Sequence, residues 1–157
     1  MHGSLNEILP DPISAEDERI LLEMLRRKLT GPAALAVELL HAMEEHFGPE
    51  AREVMRRMVA TRTFKPRPNP GDPQDDLRRF CAGLDQGCAG THRWEVVDSA
   101  PDRIAYHFTS CMWADIFRQL GEPELGFAFC AGDEPAVKAY NPALGFQRTK
   151  TLMEGDD

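Results

Sequence analysis

Four prolines in nine residues, Lys65-Pro-Arg-Pro-Asn-Pro-Gly-Asp-Pro73, forbid regular structure and split the chain into two parts of different character. The block predicts a stiff linker or an extended arm over residues 64–74. Upstream of it the apolar residues recur at helical spacing. Downstream, a two-residue alternation appears as well.

Residues 14–63 predict three helices. Ser14 is a good N-cap with Asp17 three residues on, as in a capping box, and Ile20, Leu21, Met24, Leu25 and Leu29 follow at helical spacing. Thr30-Gly31 is expected to close this helix and Pro32 to open the next, because proline is tolerated in a first turn. Leu35, Val37, Leu39, Leu40 and Met43 continue to Gly48, and Pro49 starts a third helix with Val54, Met55, Met58 and Val59 on one side. These stripes read as packing surfaces, so residues 1–63 are expected to contribute no catalytic group. His41 and His46 do not share a helical face and read as surface or boundary residues.

Beyond the prolines, residues 75–84 predict a short helix carrying Cys81 near its end, with Gly83, Gly87 and Gly90 breaking the pattern. Residues 91–99 and 103–110 alternate around the turn Ala100-Pro101-Asp102 and predict a β-hairpin. Helices are expected over 112–120 and 123–138, Tyr140-Asn141-Pro142 interrupts, and a last strand is expected over 146–153. The fold class is therefore α+β: N-terminal helices packed with a small antiparallel sheet and two further helices. A length of 157 residues suits a single domain, 1–157, with the chemistry in its 75–157 part.

Charge narrows the function. With 18 Lys+Arg against 26 Asp+Glu the net charge is -8, which argues against nucleic-acid binding. The densest basic stretch holds only Arg62, Lys65 and Arg67 and reads as a solvated loop. No apolar run approaches the ~20 residues of a membrane span, and the N-terminus lacks the pattern of a secretory signal. A cytoplasmic protein with four reduced cysteines is expected. None of them forms C-x-x-C, and Cys81 to Cys88 is C-x6-C, which disfavours a structural zinc site.

Two places could carry chemistry. On the second hairpin strand, alternation puts His107, Thr109 and Cys111 on one face and Tyr106, Phe108 and Ser110 on the other. Cys111 stands where strand gives way to helix, a position that stabilises a thiolate. His107 lies ~7 Å away along the strand, within reach of a shared substrate. The competing reading is a core cysteine and a satisfied histidine. In the second place, Cys130 and Asp133 fall at i, i+3 of a helix. A carboxylate beside a thiol suits amidine chemistry, the acid binding the N–C–N cation while the thiol attacks its carbon. Asp133 could equally cap a broken helix.

Cys111-Met-Trp-Ala-Asp-Ile-Phe, Leu120-Gly-Glu-Pro-Glu-Leu-Gly, Phe129-Cys-Ala-Gly-Asp133, Tyr140-Asn-Pro-Ala-Leu-Gly-Phe146, Arg148-Thr-Lys-Thr151 and Gly155-Asp156 follow in order. Together they resemble the L-2-amino-thiazoline-4-carboxylic acid hydrolase family, over residues 92–157. The resemblance implies hydrolytic opening of a cyclic isothiourea-like ring to a carbamoyl-cysteine-type product. In one respect the sequence departs from the family pattern: a cysteine commonly follows the closing Gly-Asp, and here Asp157 is the last residue.

These readings combine into a hydrolase acting on a C–N bond of a small cyclic amidine, without cofactor or metal. Cys111 is the expected nucleophile, Asp133 the amidinium partner and proton relay, and His107 the general acid/base. Cys130 is expected to contact substrate, Arg148 to clamp a substrate carboxylate, and Asn141 to orient a substrate amide. Trp113 and Trp94 are expected to wall the pocket. The rival is a non-enzymatic sensing module in which Cys111, Cys130 and Asp133, with His107, form a metal or thiol site.

Overall fold

The computed structural model describes residues 1–155. Its elements run α1 (Ala15–Phe47), α2 (Glu50–Ala60), α3 (Pro73–Cys88), β1 (His92–Ala100), β2 (Arg103–Cys111), α4 (Met112–Gln119), α5 (Pro123–Cys130) and α6 (Asp133–Tyr140). The α+β class holds, with helices packed around one antiparallel hairpin. Among the described residues no helix is long and apolar enough to cross a membrane.

The first two predicted helices are one. α1 runs 33 residues straight through Gly31 and Pro32. Pro32 has no N–H to donate back, so the helix gives up one backbone bond there. Packing outweighs that loss. Leu29, Ala33, Ala36, Val37 and Leu40 form an unbroken stripe across the proline, and all five belong to or pack against the main core. Ser14 caps α1 as expected, accepting from the Asp17 N–H at 3.1 Å. The core itself gathers Met55 of α2, Ala114, Ile116 and Phe117 of α4, Leu125 of α5 and Met153.

α3 is also longer than its sequence suggests. It continues through Gly83 and Gly87 to Cys88, which places Cys81 in the helix body and not at its end. Asp72 caps its start. The proline-rich segment is pinned rather than free: the Arg67 N–H donates to the Ala139 carbonyl at 2.8 Å, and the Arg67 guanidinium pairs with buried Asp76 and lies over the Tyr140 ring.

No strand forms over 146–153 among the described residues. The edge of β1 is instead partly covered by the N-terminus, where His2 exchanges two backbone hydrogen bonds with Trp94. Gly3 beside it has φ +110 and packs so tightly on β1 that a Cβ would sit 2.1 Å from the His92 carbonyl oxygen. The C-terminal segment is held by other means: the Arg118 guanidinium donates to the Leu152 carbonyl, and Met153 is buried in the core.

The expected helix over 123–138 is two helices. α5 ends at Cys130, and Ala131 and Gly132 make a tight turn before α6 begins at Asp133. Both turn residues keep right-handed helical backbone angles, so Cys130 and Asp133 remain neighbours.

Candidate active site

Cys111 is the last residue of β2 and the N-cap of α4, where its Sγ accepts the Ala114 N–H at 3.4 Å. Its orientation is set by a β-bulge. The register pairs Trp94 with Phe108 but Arg93 with Ser110 and His92 with Cys111, so Thr109 is the extra residue. The bulge turns Cys111 onto the face of Tyr106 and Phe108, against the core cluster, instead of the face of His107. His107 lies opposite Glu95 on the exposed side. The shared face expected for His107 and Cys111 is therefore not formed, because simple alternation fails at an inserted residue.

The position of Cys111 was expected to lower its pKa, and the balance runs the other way. Burial pushes the thiol up; the backbone N–H groups of Ala114 and Trp113 pull it back only in part. Cys130 and Cys88 are pushed up to about 11, first by burial and then by neighbouring negative charge. All four cysteines are free thiols.

The backbone brings several of these groups together: the Thr91 N–H donates to the Cys88 carbonyl at 3.0 Å, and His92 is opposed to Cys111 in the hairpin register. Asp133 acts on Cys130, Cys88 and His92, and Cys111 acts on both Cys88 and Cys130. The end of α3, the start of β1, the β2–α4 junction and the α5–α6 turn thus meet in one place. Arg148 reaches it from the C-terminal segment, pairing with Asp133 and donating to the Cys130 carbonyl at 3.0 Å. Arg62 reaches it from beyond α2: its Nη2 donates to the Phe129 carbonyl at 3.3 Å, and its guanidinium fills the space beside Gly132.

Trp113 stacks on Phe117, which in turn stacks on Phe129, so it borders the site from α4. Trp94 is only 2% exposed and belongs to the hairpin's packed face. Asn141 lies elsewhere. It is 2% exposed and its amide is used within the protein, donating to Asp76 at 3.0 Å and to the Gly71 carbonyl at 3.3 Å while accepting from Ala143. It ties α6 to α3 and has no side-chain atom left for a substrate.

Three residues of the site were not foreseen. Arg62 belonged to a stretch read as solvated; its partner is a backbone bend that sequence spacing cannot display. Cys88 and His92 lay near glycines read as a break. Among the described residues no three His, Cys, Asp or Glu side chains are arranged to hold a metal ion. An open cleft of about 350 Å³ lies between Arg56, Pro123, Glu124, Phe127, Met153 and Glu154, and none of the candidate catalytic groups lines it. The closing Gly155-Asp156 of the motif runs into residues outside those described.

No curated protein and no solved structure matches the chain significantly. A family model described as L-2-amino-thiazoline-4-carboxylic acid hydrolase matches residues 27–157, which takes in much of α1 and all of α2 as well as the second half. With its match running from α1 through every residue of this site, the chain belongs to the L-2-amino-thiazoline-4-carboxylic acid hydrolase family.

Proposed function

We propose that the protein opens a small cyclic amidine or thiazoline-like ring by hydrolysis of a C–N bond, with Cys111 as nucleophile. The observation that carries this reading is the Asp133–Arg148 pair beside two thiols. A ring bearing both an amidinium and a carboxylate is its charge complement. Asp133 would take the amidinium and Arg148 the carboxylate, so the substrate replaces an internal ion pair with two of its own. The Asp133 side chain is 47% exposed and gives an approach from solvent.

In the first half-reaction Sγ of Cys111 adds to the amidine carbon. The ring C–N bond then breaks and the departing nitrogen takes a proton. In the second, water adds to the carbon now bound to sulfur and expels the thiol, leaving a carbamoyl group. One water is consumed and the enzyme is restored. Cys130 borders the same space and would contact the ring. His107, on the opposite face of the hairpin, has no place in these steps.

The test is a turnover screen of cyclic amidines and thiazolines with and without a ring carboxylate. The carboxylate-bearing compounds should be preferred, and Cys111→Ala should abolish their turnover. Full activity in Cys111→Ala would remove the nucleophile, and no turnover of any such ring by the folded protein would remove the reading.

A further inference from the structure

We infer that His92 is the general base that takes the Cys111 proton, held in the required tautomer by Thr91. The inference rests on the proposed role of Cys111. His92 and Cys111 are directly opposed in the antiparallel register, so their side chains leave the same face with Cβ atoms roughly 4.5–5.5 Å apart. The backbone around them is fixed, because the Met112 N–H donates to the Thr91 carbonyl at 2.8 Å.

The tautomer follows from the hydrogen bonds. Thr91 Oγ1 donates its single proton to the Cys88 carbonyl at 3.0 Å. Its 2.8 Å contact with His92 Nδ1 must then run from imidazole to hydroxyl. Nδ1 carries the proton and Nε2 is left bare, which is the form a base needs. The groups that face the ring are Cys111, opposed to it on β2, Phe108, edge-on with ring centroids 5.5 Å apart, and Asp133 from α6, the last itself paired with Arg148. Burial holds the His92 pKa below its ordinary value against the opposing pull of Asp133, so the ring is neutral near pH 7. Asp133 is placed to stabilise the imidazolium that forms during reaction.

Protons balance through both steps. Nε2 accepts the Sγ–H proton as the S–C bond forms and delivers it to the ring nitrogen as the C–N bond breaks. It next takes a proton from the attacking water and returns it to Sγ as the thiol leaves. The arrangement has the parts of a Cys–His pair with an orienting hydroxyl, but it draws two of them from the strand start that Gly3 clamps.

The experiment compares wild type with His92→Gln, Thr91→Val and Thr91→Ser, by turnover against pH and by the pH profile of Cys111 alkylation with iodoacetamide. General base catalysis contributes roughly 10²–10⁴-fold, so His92→Gln should lose that much turnover and the acid limb of the profile. Thr91→Val should lower the rate with His92 still present, and Thr91→Ser should recover most of that loss. Imidazole added to His92→Ala should restore part of the rate, which a merely structural role would not permit. Wild-type turnover with an unchanged acid limb in His92→Gln overturns the inference. Should His92→Gln fail to fold, equal profiles for Thr91→Val and wild type overturn it. If no ring is turned over at all, the substrate reading has failed, and base-assisted alkylation of Cys111 still decides the role of His92.

Discussion

Arg148 closes an ion pair on Asp133 across the gap between the C-terminal segment and the first turn of α6. Its second amino group holds the Cys130 carbonyl, so one guanidinium fixes both ends of the α5–α6 turn. The pair is partly solvated, at 29% and 47% side-chain exposure, and its contribution to folding is about 0–1 kcal/mol. Asp133→Asn should therefore barely move the melting temperature. In turnover it should lose a charge-assisted hydrogen bond to the amidinium, worth roughly 1.5–3 kcal/mol or about 10- to 150-fold in kcat/KM. Thermal melts and kinetics on one preparation separate the two effects. A collapsed melting temperature with an unchanged rate would make Asp133 a helix-start residue only.

Thiol labelling should single out Cys111. Cys81 and Cys88 are buried, and the pKa values of Cys88 and Cys130 are pushed up to about 11. At pH 8 those two should be almost wholly protonated, and their labelling should rise about tenfold per pH unit toward that value. Cys111 is only half-buried and already accepts a backbone N–H. Limiting iodoacetamide followed by peptide mapping should find it first. Preferential labelling of Cys81 or Cys88 in the native protein would count against the nucleophile.

Gly132 tests whether Arg62 belongs to the site. A Cβ at this residue would lie 2.6 Å from Arg62 Nε, and the backbone there has no left-handed angle to strain. The long Arg62 side chain can swing away, so Gly132→Ala should cost little stability. It should nevertheless displace a cation that acts on Cys130. A several-fold loss of turnover, matched by Arg62→Ala and not deepened in the double variant, is expected. Additive losses would mean that the two residues act separately.

How much of this could be read in advance depends on what each residue answers to. The apolar periods point to helices before the prolines and to the hairpin after them, but not to the right joints or faces. Two expected helices are one, and Ile20, Leu21, Met24, Leu35, Leu39, Val54 and Met58 of the expected packing stripes are exposed. Thr30-Gly31-Pro32 reads locally as a stop, yet the stripe Leu29, Ala33, Ala36, Val37 and Leu40 keeps its phase across it. That phase was the signal to follow. Cys111, Cys130, Asp133 and Arg148 are candidates in the sequence because they lie in a short, ordered motif, and the fold brings them near one another. The opposition of His92 to Cys111 is not visible in the sequence, because one extra residue at Thr109 reverses the faces of β2 and alternation has no means of announcing a bulge. Asn141 was misassigned because its partner Asp76 is 65 residues away.

Glu122 should govern the acid stability of the helical part. It is 7% exposed at the start of α5, and its carboxylate takes both amino groups of Arg52 from α2 and His41 Nε2 of α1 at 2.8 Å. Arg52 in turn grips Glu44 of α1 at 2.7 and 2.9 Å, so one guanidinium joins three helices. The Arg52 hydrogen bond holds the Glu122 pKa below the ordinary 4.5, overcoming burial, which pushes it up. A depressed folded-state pKa means that the stabilisation is complete above the unfolded value and is lost as pH falls through the folded one. Wild type should hold its stability down to about pH 5 and lose it progressively below that. Glu122→Gln keeps the shape and one carbonyl acceptor but removes the charge. At pH 7 it should be less stable by roughly 2 kcal/mol, the worth of a hydrogen bond to a charged group. Its stability should also fall less steeply between pH 5 and pH 3, where only the wild type has this carboxylate to protonate. Urea unfolding of both proteins across that range is the measurement. Parallel curves would show that the Arg52–Glu122 contact contributes nothing to the pH dependence, whatever its geometry.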